Sequence, residues 1–330
     1  MVHHSHARFW NVAKLCALLC GISCLAGCGQ LNTTTNTRFN IFVRSNAVDT
    51  NSFAHNVQKS ISVSCQAGEQ MLGGGYLLLN NTNAADTFVV VEGSFPSALN
   101  TWTVLVRNPD NVGNDDSDVQ IGVTVYCLTT PNYPLNTQIS SSNGVLTQGG
   151  SQDIEARCAS SGELALSGGF QTSSLPVFQQ PGGAVESYYW PGLDGTGITT
   201  IAPVFPDSTH TSMGWHVHQV YTPASDLTAP QPSVETSVYV LCAQNNIVTQ
   251  AAHIASAQNT PMATASCNQE EFAVGGGYSN AAVPVPNYDG IVPYVTEGAS
   301  ASDYGGWTIN GSDLGDTFQE LALCIHIPQI

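Results

Sequence analysis

The chain has 330 residues, 42% of them hydrophobic and only 9% charged, so it carries enough apolar material for real cores and is not a disordered chain. Seven Lys and Arg stand against 24 Asp and Glu, a formal net charge of -17. That balance repels phosphate backbones and excludes nucleic acid as a partner; Lys59 is the only lysine after residue 28, so there is no basic patch for anionic lipid.

The first element predicted is an address. "MVHHSHARFWNVAKLCALLCGISCLAGC" has a basic, acid-free head followed by an apolar run from about Leu15 to Ala26. The run is shorter than the roughly 20 residues a membrane span needs, and reads as a secretory signal peptide. It ends in Leu25-Ala26-Gly27-Cys28, which resembles the lipobox of bacterial lipoproteins. The resemblance implies that residues 1–27 are removed, that the Cys28 thiol is diacylated and that its new amino group is acylated, giving attachment to a membrane. Cys16, Cys20, Cys24 and Cys28 recur every fourth residue. A metal-binding helical face is one reading of that spacing. The other is an apolar signal core, favoured because the first three are lost on processing. Residues 28–37 form a polar tether.

After the tether one phrase recurs. "CQAGEQMLGGGY" starts at Cys65, "CASSGELALSGGF" at Cys158 and "CNQEEFAVGGGY" at Cys267. Each leads to a tryptophan (Trp102, Trp215, Trp307) and then to a closing cysteine at Cys127, Cys242 or Cys324. An even set of six cysteines in an exported chain favours disulfides over metal ligation. The simplest pairing stays within units: Cys65–Cys127, Cys158–Cys242 and Cys267–Cys324. In "WTVLVR" Trp102, Val104 and Val106 alternate with period two, and in "VTVYC" Val123, Val125 and Cys127 do the same, which predicts strands. The glycines are expected where a strand bends or a large ring lies on bare backbone. A phosphate-cradling loop would need a following helix and a lysine, and has neither.

The fold expected is all-β: three repeated antiparallel β-sandwich or β-prism-like modules over residues 38–132, 133–245 and 246–330, strung as beads or closed around a pseudo-threefold axis. The pattern resembles secreted bacterial β modules of undefined function, and that resemblance implies no activity.

The sequence contains no G-x-S-x-G elbow, H-E-x-x-H or Walker loop. Glu92 and Glu297, each ten residues before a tryptophan, would suit a glycosidase pair, but copying of one unit explains them better. His216 and His218 share a strand face, with His210 nearby in sequence, and would ligate Zn²⁺ or Cu²⁺ if a third ligand arrived; a solvated strand face is the competing account. "NPDNVGNDDSD" (Asn108 to Asp118) and "NGSDLGD" are oxygen-rich enough for Ca²⁺, yet lack the calcium-loop spacing and suit turns equally. No other cofactor is expected. Unit two inserts a loop with Tyr188, Tyr189 and Trp190 between Glu186 and Asp194; exposed, these rings would stack on a glycan or anchor an envelope protein.

The function expected is that of a lipoprotein held in the cell envelope and facing the periplasm or exterior, not an enzyme, with a binding or structural role. The alternative is an exported hydrolase whose site is assembled from loops.

Overall fold

The computed structural model describes residues 40–49, 58–79, 90–107, 120–129, 134–147, 149–173, 196–221, 233–244, 249–258, 262–268, 271–280, 288–294, 305–311 and 317–326. These residues are all-β, with eighteen strands and no helix among them. The first six are β1 (Asn40–Asp49), β2 (Gln58–Ser64), β3 (Gln70–Leu79), β4 (Val90–Ala98), β5 (Thr101–Arg107) and β6 (Gln120–Thr129). The next six are β7 (Asn136–Leu146), β8 (Ser151–Arg157), β9 (Glu163–Thr172), β10 (Thr196–Val204), β11 (Gly214–Tyr221) and β12 (Val234–Gln244). The last six are β13 (Thr249–Gln258), β14 (Met262–Ser266), β15 (Glu271–Asn280), β16 (Tyr288–Tyr294), β17 (Gly306–Gly311) and β18 (Thr317–His326).

The strand order repeats every six strands. In each set the first, sixth and third strands pair (β1-β6-β3, β7-β12-β9, β13-β18-β15), and so do the second, fifth and fourth (β2-β5-β4, β8-β11-β10, β14-β17-β16), always antiparallel. The two halves of a unit belong to different sheets. β4 of the first unit pairs with β9 of the second, and β10 of the second with β15 of the third. β16 of the third lies beside β3 of the first, which completes the circuit. Two six-stranded sheets therefore run across unit boundaries, the third seam is a contact between two three-stranded sheets, and residues 39–329 form one compact unit rather than beads.

Glycine makes the closure sterically feasible. A Cβ at Gly73 would lie 1.8 Å from the Val274 carbonyl oxygen and 2.9 Å from Ser167 Cβ; one at Gly275 would lie 3.1 Å from the Leu166 oxygen. Gly73, Ser167 and Gly275 occupy the same place in the three phrases, so the three units meet at these positions around a pseudo-threefold axis.

Within each unit the two halves face one another across a tryptophan and a disulfide. Trp102, Trp215 and Trp307 are 2%, 0% and 2% exposed. A Cβ on Gly74, Gly168 or Gly276 would come within 2.5, 2.1 and 2.0 Å of those rings. The middle glycine of each phrase is thus the bare floor on which the indole lies. Period two survives at the edge strands, where Ile61, Val63, Ile154 and Ala156 point inward and their neighbours outward. Central β5 is buried on both faces: Thr103 and Leu105, outside the alternating set, are also covered.

Candidate functional site

Three disulfides close, Cys65–Cys127, Cys158–Cys242 and Cys267–Cys324, the within-unit pairs that the spacing favours. Each locks the turn before the glycine strand to the sixth strand of its unit. A glutamate shapes each of these turns: Glu69, Glu163 and Glu271 accept the backbone N–H groups of Gln66 (2.7 Å), Ser160 (3.0 Å) and Asn268 (2.8 Å). The sequence carries that signal as a glutamate five residues before the middle glycine of every phrase. In unit one Glu69 also pairs with Arg44 from β1, whose Nε donates to it at 2.9 Å. The guanidinium, and after it the Gln66 amide, hold the Glu69 carboxyl below the ordinary carboxylate range, against the opposing effect of burial. Glu69 and Glu163 lie close to the disulfide sulfurs; with the sulfurs bonded to one another, these clusters offer no thiolate to a metal.

Glu92 is buried and structural. It accepts Arg107 Nε at 2.7 Å and Gln58 Nε2 at 2.6 Å, which tie together β4, β5 and β2. Glu297 lies outside the described residues, and the strand register does not make it the partner of Glu92. Pro96, Pro203 and Pro293 each sit opposite the unit's tryptophan, and Gly93 and Gly290 each sit opposite the residue three past it. The place of Glu92 in unit three therefore belongs to Asp289. Counting back from the tryptophan failed because the loop joining the fourth and fifth strands differs in length between the units.

A cavity of about 20 Å³ near the axis is lined by Gly74, Gly168 and Gly276 with Trp102, Trp307 and Ile201. It is water-sized. Trp102 Nε1 donates to Ser94 Oγ at 3.0 Å. Ile201 takes the place of Ser94 in unit two, and Trp215 Nε1 has no partner among the described residues.

His216 and His218 project side by side from β11, and a third group does arrive. Asp153, on neighbouring β8, directs one oxygen at both rings: Oδ1 lies 2.8 Å from His216 Nε2 and 2.7 Å from His218 Nδ1. The His218 and then the His216 hydrogen bonds hold the Asp153 carboxyl below its ordinary range. An ionised carboxylate only accepts, so both ring nitrogens carry a proton toward it. Sequence reasoning missed Asp153 because it is 63 residues from His216. Only the antiparallel register, which sets Asp153 opposite His218 and Glu155 opposite His216, brings them together. His210 belongs to a turn of its own, where Asp207 accepts the Thr209 hydroxyl and the Thr209 and His210 amides, bonds that hold its carboxyl well below the usual range.

The remaining candidates, Cys28, the Asn108–Asp118 stretch, most of "NGSDLGD" and the Tyr188, Tyr189 and Trp190 segment with Glu186 and Asp194, lie outside the described residues. No protein-family model matches the chain, and no curated protein is similar enough to count as a relative.

Proposed function

We propose that the chain is a lipoprotein of the bacterial cell envelope, anchored through acylated Cys28, facing the periplasm or exterior, and working without catalysis as a binding or structural module. The observation that carries the reading is the pairing of Leu25-Ala26-Gly27-Cys28 with three disulfides in the β body. Disulfides persist in oxidising compartments outside the cytoplasm, which is where a lipobox delivers a chain. The polar tether of residues 28–37 would hold the body off the membrane, and its ligand would be a glycan or another envelope protein.

The test is metabolic labelling with a palmitate analogue, followed by fractionation and mass spectrometry of the N-terminal peptide. The parent should take up label, sediment with membranes and begin at a modified Cys28. Cys28→Ser should lose the label and leave the membrane fraction. A parent that retains an unmodified Met1, or is cut elsewhere with a plain amine, overturns the anchor.

A further inference from the structure

We propose that β8 and β11 carry a surface site for a borderline divalent cation, Zn²⁺ or Cu²⁺, ligated by His216, His218 and Asp153. The inference does not depend on the lipid anchor. Two imidazoles and one carboxylate form the donor set that suits these ions, whereas Ca²⁺ and Mg²⁺ take oxygen. The two rings already meet at a single oxygen, with both contacts under 3 Å. Rotation of the rings, and transfer of each proton to the other nitrogen of its ring, turns this hydrogen-bonded trio into a tridentate face, with water completing the coordination. The side chains of His216 and His218 are 22% and 30% exposed, so an ion reaches them from solvent, while β11 is held between β8 and β10.

Comparison of the three units separates this cluster from the needs of the fold. Where unit two has His216 and His218, unit one has Thr103 and Leu105, and unit three has Thr308 and Asn310. Where unit two has Asp153, they have Ser60 and Met262. Unit one holds the same pair of strands together with hydroxyl contacts, Ser62 to Thr103 at 2.7 Å and Ser64 to Thr101 at 2.8 Å. All three donors are therefore peculiar to unit two and occur together there. Protection of a sheet edge accounts for charge on β8, the last strand of its sheet, but not for histidines on the interior strand β11. On β10, Ala202 lies across from His216 and Thr200 across from His218. Arg157 is engaged by Glu155 and by the Ser212 carbonyl, which keeps its charge occupied beside the cluster.

The experiment uses untagged full-length chain, titrated with Zn²⁺ by calorimetry and with Cu²⁺ by electron paramagnetic resonance. The parent should bind one ion per chain more than the His216→Gln, His218→Gln double variant. Its Cu²⁺ spectrum should show coupling to two nitrogens that the double variant lacks. Asp153→Asn should keep the stoichiometry and weaken the site by about tenfold or more. Equal uptake by parent and double variant overturns the proposal, because His3, His4 and His6 would then account for the binding. If the double variant fails to fold, the Asp153→Asn titration decides: an affinity equal to the parent's overturns the site.

Discussion

A single methyl group decides whether a tryptophan fits in this chain. An alanine Cβ at position 168 would sit 2.1 Å from Trp215 Cγ and 2.7 Å from its Cβ, an overlap that no rotamer of the indole relieves because the ring is 0% exposed. Gly168→Ala should cost about 1–3 kcal/mol, the usual range for overpacking a filled core. Gly162 is the internal control: nothing lies within 4 Å of its added Cβ. Gly162→Ala should be near neutral in the same urea titration followed by tryptophan fluorescence. Equal effects of the two would mean that backbone entropy, not the indole, explains the glycine. This contact was legible in the sequence because a glycine phrase and a tryptophan recur together three times, and a ring on bare backbone needs both. Asp153 left no such trace; one aspartate in "SQDIEAR" is unremarkable until β8 and β11 are paired.

Elements are held together by pairs that cross between them, and Arg44–Glu69 is the clearest. Arg44 on β1 reaches past β6 to the turn that starts β3, so one ion pair links both outer strands of that half-unit. Because the folded Glu69 carboxyl is depressed below its unfolded value, its contribution is fully present above about pH 4.3. It fades as pH falls through the lower, folded value. The sign follows: Arg44→Gln should lower the urea midpoint near neutrality, and the gap to the parent should shrink at acid pH as Glu69 gains its proton. A gap independent of pH between about pH 6 and about pH 3 would show that Arg44 acts by packing alone. The strands were legible from period two, yet β5 shows its limit. Its outward Thr103 and Leu105 are covered as well, and Thr103 is engaged there by Ser62 and by Ser97 at 2.6 Å. β5 is central because β2 and β4 of its own unit flank it, a long-range pairing that leaves no periodic mark in the strand.

At the scale of the whole molecule, the seams between units predict that no unit folds on its own. Unit two gives β9 to β4 of unit one and β10 to β15 of unit three. Across the first seam the Thr172 hydroxyl donates to the Glu92 carbonyl at 3.0 Å, and Tyr239 stacks on Phe95 with ring centroids 4.8 Å apart. A fragment of residues 134–244 keeps its disulfide and its tryptophan but exposes two strand edges together with the apolar seam. It should not behave as a cooperatively folded monomer. Because the seams are equivalent, three copies could satisfy each other, β10 of one against β9 of the next. The obstacle lies on the axis, where three Ser167 side chains would replace the glycine, serine, glycine set, and a Cβ at Gly73 would already fall 2.9 Å from Ser167 Cβ. Ser167→Gly removes that crowding. In sedimentation and circular dichroism, the parent fragment should be poorly structured or heterogeneous, and the Ser167→Gly fragment should shift toward a β-rich trimer as concentration rises. A sharp, concentration-independent unfolding transition from a monomeric parent fragment would show that a unit folds alone, and that the shared sheets merely join three finished domains.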